Sequence, residues 1–419
     1  MSSLVELTTE PHSPFLRRVR IRNYKSIEKC DLQLRSLTIL VGRNGSGKSN
    51  FLDALRFVAD AVKSPLDHAL QTRGGIDAVR RKSIGHPHNF AIWLELSLPS
   101  DGLATYSFEL TAKAKGGFEI RHEQVEVRGR TDTGHYLVEN GGLVRSSESN
   151  MPPLPADRLY LTNASGLPIF RPLYDALSSM GFYNLNPDAM KEVQQPDAGE
   201  LLRRDGSNIA SVVARLKSER PELMQRIDQF LSTIVPGIVG ADRIALGPRE
   251  TLQFRQSVEG SEYPWRFYAT NMSDGTLRAF GSLVAVTQLA NGRSSVSLVG
   301  IEEPETALHP AAASALMDAL REAAERTQIV VTTHSPELID QVDLAREALL
   351  VVVSEHGTTK IAPIDKASRE ALQRHLSTPG ELLRWDQLEP DREYLAAQMK
   401  LELREGSPEL GTPARSADR

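Results

Sequence analysis

A chain of 419 residues, 40% hydrophobic and 25% charged, has the composition of a soluble globular protein with room for one large or two ordinary domains. Its formal net charge of -5 excludes a nucleic-acid binder held by bulk positive charge, while leaving room for a local basic patch. The single cysteine, Cys30, excludes an internal disulfide and a cysteine-based zinc cluster and fits a reducing cytoplasm.

The opening MSSLVELTTEPHSPF lacks a basic segment followed by an apolar core, so no secretory leader is expected. From residue 15 to 41 the pattern is that of β-structure. FLRRVRIRNYKSI alternates Val19 and Ile21 with Arg18, Arg20 and Arg22, and SLTILV at 36–41 is a short buried-type strand. GRNGSGKS at 42–49 follows directly and fits GxxxxGK[ST] between a strand and a helix. Its glycines let backbone amides turn inward around a polyphosphate, Lys48 sets a cation on the outer phosphates, and the Ser49 hydroxyl is placed to ligate Mg²⁺. The predicted nucleotide-binding set is therefore Arg43, Asn44, Gly45, Ser46, Gly47, Lys48, Ser49 and Asn50, with Lys48 also serving catalysis. NFLDALRFVADAV then spaces Leu52, Leu55, Val58 and Val62 at helical intervals.

NFAIWLELSL, ATYSFELTAK and GFEIRHEQVEV, separated by Asp-Gly and Gly-Gly turns, predict an antiparallel meander. Residues 130–156, rich in Gly, Ser and Pro, are expected to be a loop. Residues 157–240 turn helical in NIASVVARLKSER and PELMQRIDQFLSTIV, too short and interrupted for a long coiled coil. Strands return at RIALG, TLQFRQSV and RFYAT. NMSDGTLRAF (271–280) next reads as a capped helix start, with Ser273 or Asp274 satisfying free amides of the first turn.

SVSLVGIEEPETALHP (295–310) is an apolar strand running into paired acids. Glu302 is the candidate Mg²⁺ holder and Glu303 the candidate base that takes a proton from the attacking water. QIVVTTHSP (328–336) is a further strand ending in Thr332, Thr333 and His334, the last suited to positioning water or sensing a phosphate. Apolar runs such as ALLVVV at 348–353 are too short to span a bilayer, so a cytoplasmic protein without a membrane partner is expected.

In this order the motifs resemble the ATP-binding-cassette ATPase superfamily, specifically its soluble RecF-like, chromosome-maintenance-like and OLD-like branch, over most of residues 15–345. The resemblance implies an α/β fold: a P-loop core with a parallel sheet, an antiparallel meander in its first lobe, and an inserted helical subdomain. The implied division is 15–156 for the first part of the core, 157–241 for the insert, 242–345 for the second part, 346–404 for a C-terminal extension and 405–419 for a disordered tail. ATP and Mg²⁺ are the implied cofactors. SerAspGlyThr at 273–276 stands where the family has its signature turn, so Ser273 and Gly275 would face the ATP of a second subunit in a homodimer. Thr306 to His309 would be a loop at that interface, and His334 the family's switch histidine.

Two residues depart from the family pattern. Glu302 replaces the usual Asp, lengthening the metal-holding arm by one methylene, and Asp274 replaces a signature glycine, so it must turn away from phosphate or bond to the backbone. The metal-contacting glutamine is left open among Gln71, Gln124, Gln194 and Gln195.

The expected activity is a Mg²⁺-dependent ATPase that dimerises around ATP, serving DNA repair or anti-phage defence beside a separate effector such as a nuclease. Residues 335–419 are too few, and lack the clustered acids, for the TOPRIM domain of full OLD-type enzymes. A nucleotide-gated scaffold with negligible turnover is the alternative, and a transporter ATPase subunit a weaker one. DNA is a possible partner through Arg17, Arg18, Arg20, Arg22 and Lys25, with Arg80, Arg81 and Lys82. A solvated strand face explains these residues equally well.

Overall fold

Alternation of Val19 and Ile21 with arginines does build a strand, β1 (Leu16–Tyr24), with both aliphatic residues fully buried. The computed structural model describes residues 15–400 except 84–86, 99–101, 114–115, 131, 156 and 289–295. The start, where no leader is expected, and the tail expected at 405–419 lie outside the described residues.

β1 pairs antiparallel with β2 (Ile27–Gln33), and the all-buried β3 (Leu37–Val41) leads into the P-loop. The meander follows as β4 (Asn89–Leu98), β5 (Gly102–Ala112) and β6 (Phe118–Arg128). The expected loop at 130–156 is corrected by a hairpin of β7 (Thr133–Glu139) and β8 (Gly142–Ser146). Asn140 and Gly141 both take positive φ at its tip, as a tight hairpin turn requires. High Gly and Ser content had masked the period-two burial of Gly134, Tyr136 and Val138.

The remaining strands are β9 (Gly181–Tyr183), β10 (Ile238–Leu246), β11 (Arg249–Gln256), β12 (Trp265–Tyr268), β13 (Leu298–Glu302), β14 (Gln328–Thr333), β15 (Ala348–Glu355) and β16 (Thr358–Pro363). Among the described residues the main sheet has 13 strands in the order β8-β7-β6-β5-β4-β1-β2-β16-β15-β3-β14-β13-β9, and β10-β11-β12 form a second, small sheet. β15, β3, β14, β13 and β9 run parallel. β16, antiparallel to β15 and parallel to β2, joins this half to the antiparallel half.

Two segments sit differently from expectation. The stretch 157–241 carries helices Arg171–Ser178, Ile209–Glu219 and Pro221–Ile234, yet it also supplies β9 to the edge of the main sheet. Residues beyond 345, expected as an extension, place β15 and β16 in the middle of that sheet.

Successive residues of the parallel strands face two cores, as a sheet covered on both sides demands. Leu40, Leu298, Val330 and Leu350 face a core with the helix Lys48–Lys63. Ile39, Val41, Val299, Ile301 and Val331 face another, with helices Asp274–Thr287 and Ala313–Ala324.

Candidate nucleotide site

β14 lies between β3 and β13, all three parallel, so their C-terminal ends bring three separate motifs to one edge: the loop at 42–47, Glu302 with Glu303, and His334. Gly47 caps the helix Lys48–Lys63 at φ +104°, and a Cβ there would come within 1.9 Å of Thr359 Oγ1. Both facts demand glycine. Thr359 on β16 donates its hydroxyl to the Ser46 carbonyl at 2.8 Å, holding the loop from behind.

Lys48 Nζ donates to the carbonyls of Gly42 (2.6 Å) and Arg43 (3.1 Å), curling its ammonium over the loop. Burial lowers its pKa, opposed by the nearby Glu303 and Glu305 carboxylates. The Ser46 hydroxyl is buried with no hydrogen-bond partner among the described residues, an unsatisfied polar atom in the cradle. Arg43, Asn44, Gly45 and Ser49 are exposed; Arg43 pairs with Asp386 at 2.7 Å, and Asn50 donates to Ser26 Oγ at 2.6 Å.

Ser49 and Glu302 line one cavity of about 230 Å³ together with Lys25, Asn50, Asp53, Arg56, Tyr183 and Arg204. A hydroxyl and a carboxylate facing one space are the hard oxygen donors that Mg²⁺ takes, with phosphate and water completing its shell. The residues thus fit the metal. Glu302 itself is ion-paired with Arg204 at 3.0 Å.

Glu303 has a left-handed backbone (φ +46°), strained for a residue with a Cβ, and its amide donates to the Thr332 carbonyl at 2.9 Å. Its carboxylate lies 3.3 Å from His334 Nδ1. Glu305 is buried beneath, its carboxyl pushed up by burial, while a hydrogen bond from the Thr333 hydroxyl acts in the opposite sense.

The turn at 273–276 is exposed at Ser273 and Asp274. Ser273 Oγ accepts from the Thr276 amide at 3.1 Å and caps the helix. Asp274 turns aside to Lys191 Nζ at 2.6 Å, the first of the two placements open to it. A Cβ on Gly275 would lie 2.2 Å from the Ala307 carbonyl, so only glycine lets this turn lie on the loop that follows the acids.

Among the described residues none of the four candidate glutamines lines the cavity. Gln194 is buried and accepts from the Ala210 amide, Gln124 sits on β6 donating to Glu126, and Gln71 and Gln195 are exposed. The residues missed from sequence are Arg204 and Tyr183, along with Asp53 and Arg56. The last two share a helix face with Ser49 at i+4 and i+7, a spacing that could have revealed them.

The basic residues of the early strand are paired with acids of the same chain. Arg17 pairs with Glu95, Arg18 and Arg20 with Asp31, Arg22 with Glu109 and Lys25 with Asp53, and Arg80 and Arg81 pair with Asp77 and Glu28. Each of these cations thus meets a carboxylate of its own chain, with which a phosphate would have to compete.

A family model described as "AAA domain, putative AbiEii toxin, Type IV TA system" matches residues 37–340. The chain belongs to this family. This AAA-domain chain is 24% identical over 381 residues to endonuclease GajA of Bacillus cereus (strain VD045), a match covering 82% of the chain and 58% of that protein. It is 26% identical over 302 residues to the DNA replication and repair protein RecF of Gloeobacter violaceus, covering 70% of the chain and 72% of RecF. RecF of Trichlorobacter lovleyi matches at 46% over 48 residues, 11% of the chain and 13% of that RecF. The SMC head bound to the C-terminal winged-helix domain of ScpA shares the fold: TM-score 0.55 at 15% identity, over 85% of this chain and 100% of that one. The resemblance to RecF, SMC and OLD-type ATPases thus stands, as does the mixed α/β head fold. No described helix is long and apolar enough to cross a membrane.

Proposed function

We propose that the chain binds ATP with Mg²⁺, closes as a dimer around it and uses hydrolysis as a conformational switch. The observation carrying this reading is the convergence of the P-loop, Glu302 with Glu303, and His334 at one edge of the parallel strands, with an unsatisfied Ser46 hydroxyl in the loop itself. Lys48 and the amides of the loop neutralise phosphate charge. Ser49 and Glu302 would hold Mg²⁺, which adds charge neutralisation at the transferred phosphoryl group. Glu303 takes the proton of the attacking water, with His334 at 3.3 Å orienting the carboxylate. Dimerisation is supported by the likeness to SMC heads and by the exposed Ser273 cap.

The relatives named as an endonuclease and as replication and repair proteins support a role in DNA repair or anti-phage defence, with a separate effector such as a nuclease. A nucleotide-gated scaffold is the second reading, favoured by the tie between Glu302 and Arg204. The Glu303→Gln variant tests both. It is expected to bind ATP as the parent does, lose phosphate release by roughly 10²–10⁴-fold, and accumulate as an ATP-bound dimer on sizing. Parent protein that binds ATP without turnover selects the scaffold; parent protein that binds none defeats both.

A further inference from the structure

Arg204 belongs to none of the sequence motifs, yet it is the residue that engages Glu302. It sits on a tight turn in which the Gly206 amide donates to the Arg203 carbonyl (2.9 Å) and the Arg203 amide to Asn208 Oδ1 (2.8 Å). The turn is pinned on two sides. At the exit of β9, the Arg204 and Asp205 carbonyls accept from the amides of Asn184 (2.9 Å) and Asn186 (3.0 Å). On the other side the Leu202 amide donates to the side chain of Gln288 at 2.7 Å, the residue that closes the helix Asp274–Thr287.

With the backbone fixed in this way, the ion pair is not needed to hold the turn. The Arg204 side chain is 48% exposed and free to pivot, whereas Glu302 is 18% exposed and fixed at the end of β13. Both line the cavity that holds Ser49. A guanidinium carries no lone pair for a metal, and a divalent cation placed against the same carboxylate would meet a like charge a few ångströms away. The two occupants exclude one another.

We propose that Arg204 is a gate on metal entry: it holds Glu302 until the divalent cation displaces it. This rests on the ATPase reading above. The extra methylene of Glu302, relative to Asp, gives its carboxylate the reach to serve both partners. Arg204 is thus a positioning residue whose removal eases metal binding without touching the P-loop.

The test uses Mn²⁺ as a paramagnetic probe, titrated into the full chain at saturating ATPγS and read by electron paramagnetic resonance. Arg204→Gln is expected to tighten the Mn²⁺ midpoint by about three- to fivefold, the scale of a half-exposed ion pair, and Arg204→Lys to restore much of the parent value. An unchanged or weaker midpoint in Arg204→Gln, with nucleotide still bound, overturns the gate alone. A fall in melting temperature with no shift in midpoint assigns Arg204 to structure and also overturns it. Parent protein that binds no ATPγS overturns the ATPase reading together with the gate.

Discussion

Asp53 gathers an unusual number of partners on the flank of the nucleotide helix. Lys25 and Arg56 reach its carboxylate at 2.6 Å, Arg73 at 3.1 Å, and the Tyr24 hydroxyl at 2.8 Å. Burial alone would push its pKa up, but Arg73, Lys25 and Arg56 outweigh it and bring the carboxyl down to about 2, from an ordinary 3.8. Because the folded value lies below the unfolded one, the ionised carboxylate contributes stability that is complete above about pH 4 and is lost as pH falls through about 2. Asp53→Asn is therefore expected to cost about 2 kcal/mol near neutral pH, leaving Arg73 buried without its charge partner at that position. In urea unfolding across a pH series, the gap between parent and variant should be constant above pH 4 and close towards pH 2. A gap of the same size at both ends would mean that Asp53 is not the titrating group. The same residue-level economy explains Asp274, whose charge is met by Lys191 rather than presented to a phosphate.

Among the elements, the hairpin of β15 and β16 reaches the P-loop from beyond the residues that carry any recognisable motif. The Val352 carbonyl lies so close to Gly42 that a Cβ would come within 2.1 Å, and the Thr359 hydroxyl bridges the Ser46 carbonyl and Ser26 Oγ. Thr359→Val keeps the shape and the β-branch but removes both hydrogen bonds. It is expected to weaken ATP binding about five- to tenfold, the worth of one to two hydrogen bonds, while leaving the sheet intact. Equilibrium titration with a fluorescent ATP analogue would measure this, and unchanged affinity would mean that the loop holds its shape unaided. This contact marks the limit of what the chain reveals when read locally. GRNGSGKS, the paired acids and His334 were legible because each couples a residue pattern to the end of an apolar run. Thr359 was not, because its partner lies 313 positions away and a strand pattern reports burial without naming the neighbour. The hairpin at 133–146 was hidden by its Gly and Ser content, and Arg204 by a turn whose role arises only when β9 joins the sheet.

For the whole molecule, the question is where the exposed turn at 273–276 points. Within one chain it is braced from behind: Gly275 lies on the Ala307 carbonyl, and Ala307, like Glu303, holds a left-handed backbone (φ +65° and +46°). The turn and the loop after the acids are therefore in direct contact, a geometry suited to a second subunit whose nucleotide would meet both. Ser273 is free on its outer side because its cap bond to Thr276 is made inward, within its own helix. Ser273→Arg puts a long cation on that surface and removes the cap, at a cost of about 1 kcal/mol to the helix. Ser273→Ala removes the cap alone, and so separates the loss of helix stability from the block at the surface. Under the dimer reading, both variants bind ATP as monomers, and only Ser273→Arg fails to dimerise when ATP is added to the Glu303→Gln background. Sedimentation velocity with and without ATP distinguishes the outcomes. Dimers of Ser273→Arg would place the subunit contact elsewhere, and loss of ATP binding by its monomer would mean that the turn serves the nucleotide of its own chain.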